Sequence, residues 1–257
     1  MMNSDIRLGF FSDTHTKHIE WKKRFDSGEF NDKWSELDIL FFTGDCSSRG
    51  SKYEVDDFLS WFNQQPAKHK VMISGNHDFF FDYEYRKKQS SEVIEILDKY
   101  PDIHYLNDSG IELFGINIWG SPIQPEFYNW AFNRKRNTII DADGTEKNMG
   151  YLVNGIDQHW NKIPENTDIL IVHGPPYGHG DLLSKRHQRR GENTRVGCVD
   201  LKKRIDIVRP KIEAFGHIHE GYGESIENDI LYINCSSLNE EYSPVNPPRY
   251  KLFKNQH

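Results

Sequence analysis

Along this chain an apolar run of strand length repeatedly stops at a polar side chain able to bind a metal. Ile6–Phe11 gives way to Ser12-Asp13 and then His15, and Asp38–Thr43 to Gly44-Asp45. Lys70–Ser74 runs into Gly75-Asn76-His77-Asp78, Asp168–Val172 into His173, and Glu213–Phe215 into Gly216-His217 with His219 beyond. Two further runs, Ile111–Ile116 and Ile230–Asn234, read as strands as well. The runs are rich in Val, Ile and Phe and nearly continuous, as in strands covered on both faces. Between them, Glu54–Gln65 places Val55, Phe58, Leu59 and Phe62 at helical spacing, with Ser51 and Glu54 spelling a capping box. Ser91–Tyr100, stopped by Pro101, and Val196–Val208 are further helix patterns. Helices alternating with buried strands predict a layered α/β fold in one domain, residues 1–257.

Ligands of α/β sheets bind at the carboxyl ends of strands. If the strands meet at one edge, all these side chains face one crevice. Gly44, Gly75, Gly174 and Gly216 fit close backbone approach there. The donor set Asp13, His15, Asp45, Asn76, His173, His217 and His219 holds imidazole, carboxylate and one amide, without sulfur. That suits Mn, Fe or Zn and exceeds the needs of one tetrahedral zinc. It predicts two metals a few ångströms apart sharing a carboxylate, a device for attack on a phosphoryl group. His217 and His219, two apart, would share a face if the strand continued through them.

The ordered set Asp13-x-His15, Gly44-Asp45, Gly75-Asn76-His77-Asp78, His173 and Gly216-His217-x-His219 resembles the calcineurin-like metallophosphoesterases, from about Arg7 to about Asn234. The resemblance implies a four-layer α-β-β-α sandwich of two mixed β-sheets flanked by helices. It implies one metal on Asp13, His15, Asp45 and His219, and a second on Asp45, Asn76, His173 and His217. His77 would then stand at the leaving-group oxygen as general acid or transition-state stabiliser. Asp78 would orient it, as carboxylates often do for imidazoles, and Asn76 would also touch phosphate. His173-Gly174-Pro175-Pro176, Arg195-Val196-Gly197-Cys198, the run from His217 to Gly223, Asn246-Pro247-Pro248 and the Trp119–Asn133 segment are similar to a narrower group. These are the small metallophosphoesterase-domain-containing proteins, which look like phosphodiesterases of cyclic nucleotides. The chain departs from that group in a longer, more basic Ser184–Thr194.

Other residues keep two readings. Arg49 has the spacing of the phosphate-gripping arginine of protein phosphatases, or is a turn arginine paired with a helix-start acid. His179, in Gly178-His179-Gly180 shortly after His173, is either a substrate contact or an ordinary histidine. Lys185, Arg186, His187, Arg189, Arg190 and Arg195 form a solvated loop or a positive rim that draws in an anion, with Arg195 as its substrate contact. Trp119, Phe127, Tyr128, Trp130 and Phe132 anchor the long Trp119–Gly150 excursion or stack on a base. Pro244, Pro247 and Pro248 mark an extended segment that covers the domain edge or a neighbouring chain.

Composition narrows the partners. A formal charge of −7 argues against binding long nucleic acid but leaves room for a nucleotide in a pocket. No apolar stretch is long enough to span a bilayer, and the N-terminus lacks a signal-peptide pattern. Cys46, Cys198 and Cys235 read as buried thiols in a reducing compartment, which predicts a cytoplasmic protein. The function expected is a metal-dependent phosphodiesterase of small diesters, foremost 2′,3′- or 3′,5′-cyclic nucleotides. Two divalent cations are its cofactors: manganese first, with iron, zinc, cobalt or nickel also suited. The alternatives are a phosphomonoesterase or protein phosphatase, a nuclease, and a metal-stabilised interaction module with residual activity.

Overall fold

In the computed structural model, which describes residues 5–82, 91–141, 143–186 and 194–254, side-chain alternation sorts each buried strand between two apolar layers. Leu8 and Phe10 of β1 (Ile6–Phe11), Ile39 and Phe41 of β2 (Ile39–Thr43), and Val71 and Ile73 of β3 (His69–Ile73) point to one side. There they meet Ile116 and Ile118 of β6 (Ile116–Ser121), Ile169 and Ile171 of β11 (Ile169–Val172), and Ala214 of β12 (Ile212–Phe215). This is the layer between two sheets. The intervening residues Leu40, Phe42, Met72, Leu170 and Val172 face outward, toward helices.

The first sheet has the order β15-β1-β2-β3-β4, with β4 at Ile103–Tyr105 and β15 at Arg249–Phe253. The second has the order β13-β14-β12-β11-β6-β5, with β5 at Ser109–Leu113, β13 at Gly223–Glu227 and β14 at Ile230–Asn234. Each is mixed. β1 to β4 pair in parallel and β15 lies antiparallel on β1; β6, β11, β12 and β14 are parallel, with β5 and β13 antiparallel at the rims.

Helices cover the outer faces. Trp21 of α1 (His18–Arg24) and Trp34 of α2 (Gly28–Ser35) join Val55, Phe58, Leu59 and Phe62 of α3 (Lys52–Asn63) and Val93 and Ile96 of α4 (Ser91–Asp98). The Phe58 ring packs 4.4 Å from that of Phe42, tilted by 41°. Burying one such ring is worth roughly 1.5–3 kcal/mol. On the second sheet, Trp160 of the short α5 (Asp157–Trp160) and Leu201, Ile205 and Val208 of α6 (Val199–Val208) pack with the outward residues. The result is the layered α-β-β-α sandwich.

The capping box at Ser51 is present. Ser51 Oγ accepts from the Glu54 N–H (3.2 Å) and Glu54 Oε2 from the Ser51 N–H (2.9 Å). Three local expectations change. Ile111–Ile116 is not one strand but a hairpin, because Phe114 (φ 54°) and Gly115 (φ 75°) turn the chain between β5 and β6. The helix expected from Val196 starts at Val199, with the Cys198 thiol accepting from Leu201 N–H at its start. The Trp119–Gly150 excursion carries, after β6, the short strands β7 (Gln124–Pro125), β8 (Asn133–Arg134), β9 (Thr138–Ile140) and β10 (Glu146–Asn148).

The proline-rich segment covers the edge of this same chain. The Asn246 carbonyl accepts from Trp21 Nε1–H (2.8 Å) and the Pro247 carbonyl from the Tyr222 hydroxyl (2.7 Å), which leads β15 onto β1. Among the described residues no helix is long and apolar enough to cross a membrane.

Parallel pairing aligns the carboxyl ends within each sheet, and the two aligned edges adjoin. Ser12, just past β1, bridges Ser236, just past β14, and its N–H reaches the Cys235 carbonyl (3.1 Å). The polar residues that end the strands therefore lie along one seam.

Candidate metal centre

The chain reaches the seam in a backbone conformation that L-residues seldom adopt. Asp13 (φ 51°), His15 (φ 40°), Thr16 (φ 69°), Asp45 (φ 60°) and His217 (φ 66°) are all left-handed. Such strain persists only where the surroundings over-determine it, and it clusters at functional sites. Here cross-loop hydrogen bonds hold it: Asp13 N–H to Gly44 O (2.9 Å), His15 N–H to Asp45 O (3.1 Å) and Gly216 N–H to His173 O (2.9 Å). Three of the expected glycines are sterically required. A Cβ on Gly75 would strike the Asp45 carboxylate and the His173 ring, one on Gly44 the His173 ring, and one on Gly216 the Asp13 carboxylate. Gly174 has ordinary space around it.

Side chains from both sheets converge. Ligand-capable atoms of Asp13, His15 and His219 lie within 4.8 Å of one another, as do those of Asp45, His173 and His217. Asp45 stands between the two groups. Its Oδ2 is 3.6 Å from His15 Nε2 and 3.3 Å from His173 Nε2. Asn76 Oδ1 is 3.0 Å from His173 Nε2, and His219 Nε2 is 3.4 Å from Asp13 Oδ1. All seven expected ligands thus meet at the seam. His217 and His219 do not share a face. The strand ends at Phe215, the left-handed turn at His217 intervenes, and the two rings join different groups.

Backbone carbonyls fix the imidazoles. His173 Nδ1–H donates to Thr43 O (2.9 Å), His219 Nδ1–H to Asn239 O (2.9 Å) and His77 Nδ1–H to Ser48 O (2.8 Å). A carbonyl only accepts, so Nδ1 carries the proton and Nε2 is presented to the cluster, the usual arrangement of ligating histidines. Asp13 is held by the His217 N–H (3.0 Å), the Ser236 hydroxyl (3.0 Å) and the Ser12 hydroxyl.

The electrostatics call for a cation. Burial opposes ionisation of Asp13, yet the His219 hydrogen bond and charge hold its carboxyl well below the usual range. Asp45 is likewise held low against burial, by the charge of His173 and then His77. Burial alone would depress His173, but Asp45 raises it to about 9, and Asp13 similarly raises His219. Burial lowers His15 to about 4, and burial with the neighbouring His173 lowers His217 to about 3. Two buried carboxylates therefore draw positive charge, while two neutral imidazoles offer lone pairs. Both ring nitrogens of buried His15 lack a hydrogen-bond partner among the described residues. Divalent cations answer all three features, and on binding they would displace the extra imidazole protons.

The other expected site residues separate. His77 reaches the cluster: its N–H donates to Asp45 Oδ1 (2.8 Å) and its ring lies 4.6 Å from that of His15. Asp78 does not orient it. The Asp78 carboxylate turns inward and accepts from the N–H groups of Asp45 (2.9 Å), Ser47 (3.0 Å) and Gly75 (2.8 Å) and from the Ser47 hydroxyl (2.7 Å). Asp78 thus ties together the loops after β2 and β3, and the Ser48 carbonyl orients His77 instead. Arg49 is exposed, in the loop after β2. His179 stacks on Tyr232 (3.6 Å) and bonds Ser225 Oγ (2.9 Å), on the side of the second sheet away from the inter-sheet layer. Arg195 pairs with buried Asp181 (2.6 Å) and lines a cavity of about 200 Å³ with Arg136 and Tyr177. Of the basic cluster, His187, Arg189 and Arg190 lie outside the described residues.

Sequence reasoning missed Asn239 and Tyr242, which have no motif spacing. Asn239 Oδ1 accepts from the N–H groups of Glu241 (3.1 Å) and Ser243 (2.8 Å) while its carbonyl holds His219. The turn sets Tyr242 against the rings of His15 (4.9 Å) and His219 (5.0 Å). In the aromatic group, Phe132 is buried, Trp119 packs at the core margin, Phe127 and Tyr128 are exposed, and Trp130 lies against His77.

Comparison with known proteins agrees with this geometry. The family profile described as "Calcineurin-like phosphoesterase" matches residues 6–221. Metallophosphoesterase domain-containing protein 1 of Homo sapiens is 37% identical over 227 residues, covering 82% of this chain and 63% of the relative. The Mus musculus protein of the same name gives the same identity and coverage. The chain thus spans somewhat under two thirds of these relatives' length. One solved crystal structure superposes with a TM-score of 0.59 at 12% identity, covering 97% of this chain and 99% of that one, a likeness of fold.

Proposed function

The chain belongs to the calcineurin-like phosphoesterase family, and on that footing we propose that it hydrolyses small phosphodiesters, foremost 2′,3′- or 3′,5′-cyclic nucleotides, with two divalent cations. The observation that carries the reading is the Asp45 carboxylate, one oxygen of which faces His15 and His173 together. One cation would be held by Asp13, His15, Asp45 and His219, and the other by Asp45, Asn76, His173 and His217. When bound, such a pair supplies Lewis acidity toward the phosphoryl oxygens and lowers the pKa of a shared water. Manganese fits this oxygen and nitrogen set, as do iron, zinc, cobalt and nickel.

The chain's own groups do the rest. Asn76, beside both His77 and His173, offers its amide to a phosphoryl oxygen. His77, with Nδ1 committed to Ser48, presents Nε2 to the leaving oxygen. Hydrolysis breaks one P–O bond and forms another to the hydroxyl of a water; His77 Nε2–H gives its proton to the departing alkoxide, and the proton that the water sheds returns to Nε2. Arg49 and Arg195 are candidates for drawing in the anion from the rim. Three buried, unpaired thiols fit a cytoplasmic site of action.

The test is turnover of an aryl phosphodiester and of cyclic nucleotides with each divalent metal, in the native protein and in Asp45→Ala and His217→Ala. Activity should require added metal and collapse in both variants. Undiminished turnover in both sinks the two-metal reading. A preference for monoesters under the same conditions reassigns the substrate class to phosphomonoesters.

A further inference from the structure

The His77 imidazole is gripped from several directions, and one of its contacts comes from a distant part of the chain. Nδ1–H is bound to the Ser48 carbonyl and the backbone N–H to Asp45. The edge of the His15 ring meets it at 4.6 Å and 83°. Against its face lies the indole of Trp130, with ring centroids 4.2 Å apart and planes inclined by 33°.

Trp130 itself is fixed. It lies 5.6 Å from the Phe79 ring at 29°. The next residue, Ala131, donates its N–H to the Asn76 carbonyl (3.2 Å), and Phe132 donates its N–H to Asp82 Oδ2 (2.7 Å). The excursion that carries Trp130 is thus pinned to the segment from Asn76 to Asp82, which carries His77.

The terminal torsion of a histidine is broad and soft. A single hydrogen bond at Nδ1 leaves the ring free to rock about that contact, which swings Nε2. A flat, anchored surface against the ring removes that freedom. General-acid catalysis needs the donor within hydrogen-bond reach of the departing oxygen.

We propose that Trp130 is a positioning residue for His77, setting the ring plane in which Nε2 delivers its proton to the leaving group. The proposal rests on the assignment of His77 as proton donor made above. It predicts a dependence on leaving group, because a poor leaving group needs the proton and a good one departs without it.

The experiment compares methyl phenyl phosphate with methyl 4-nitrophenyl phosphate, which differ only in the departing phenol, at matched metal content. In Trp130→Ala, kcat on the phenyl ester should fall about tenfold further than on the nitrophenyl ester, with KM nearly unchanged. Trp130→Phe, which keeps a flat ring, should recover most of that difference. His77→Ala should show the same pattern more strongly. Equal losses on both esters in Trp130→Ala, or a loss confined to KM, overturn the proposal while leaving His77 as the acid if His77→Ala still discriminates. If His77→Ala does not discriminate, the proton-donor role fails and this proposal falls with it. Should Trp130→Ala not fold, Trp130→Leu, which keeps bulk without a planar face, is read by the same criterion.

Discussion

His219 Nε2 lies 3.4 Å from Asp13 Oδ1, so the end of the second sheet's β12 loop touches the end of the first sheet's first strand. This pair joins the two sheets at the seam, and the glycine at the head of the His217 loop sets how closely they approach. A Cβ on Gly216 would overlap the Asp13 carboxylate and the Ser12 hydroxyl. Gly216→Ala should therefore push Asp13 off its position while leaving the strands paired. Expected are unchanged far-ultraviolet circular dichroism and a loss of bound metal with at least about 100-fold lower kcat/KM, since even indirect supports of ligands cost 10–100-fold. Full metal content in this variant would show that the seam tolerates the displacement.

Metal and stability should be linked through the two carboxylates. Cations that bind only the folded chain stabilise it by about 2.7 kcal/mol at a hundredfold excess over Kd. Excess Mn²⁺ should raise the Tm of the native chain by several degrees, and chelation should reverse the rise. Asp45→Asn should abolish most of the response. A metal-induced shift of the same size in that variant would place the stabilising ions elsewhere.

Asp78 should matter more for folding than for proton transfer. Its carboxylate accepts from four buried backbone N–H groups, those of Asp45, Cys46, Ser47 and Gly75. Asp78→Ala strands those donors, at about 1–3 kcal/mol for each one left unsatisfied. The expected result is a Tm lower by roughly 10 °C or more. An unchanged Tm with an altered pH–rate profile would restore the role of orienting His77.

Glu213 supplies a pH test remote from the seam. It is fully buried on β12, with neither oxygen hydrogen-bonded among the described residues, and burial raises its carboxyl well above the ordinary 4.5. Below that value the group is protonated in both folded and unfolded chains. Above it the unfolded chain ionises while the folded chain stays protonated, so stability falls as pH rises until the folded-state value is passed. Glu213→Gln, which mimics the protonated acid, should match the native Tm near pH 4 and exceed it increasingly toward neutral pH. A Tm difference independent of pH refutes the assignment.

The residues that converge at the seam were legible because each stands where an apolar run breaks, and burial of both sheet faces makes those runs conspicuous. β13 and β15 escaped notice because Glu224, Glu227, Arg249 and Lys251 break up their pattern at half-exposed rims. Phe114 hid the hairpin, since an apolar residue in a left-handed turn looks like strand. The direction of Asp78 was beyond sequence reading. It adjoins His77 in the chain, but the 3₁₀ turn that begins at Phe79 sends the two side chains opposite ways. The Trp130 and Tyr242 contacts come from loops far along the chain, and no local spacing encodes them.

The left-handed residues along the seam have an evolutionary corollary. Asp13, His15, Asp45 and His217 all occupy a conformation in which glycine is at ease and they are not. A population selected in chelator only to survive heat, with no demand for turnover, should drift toward glycine first at His15, whose buried ring nitrogens have no hydrogen-bond partner among the described residues. Heat-hardened descendants would gain endurance while losing their chemistry, and the order of the losses would trace the outline of the active edge.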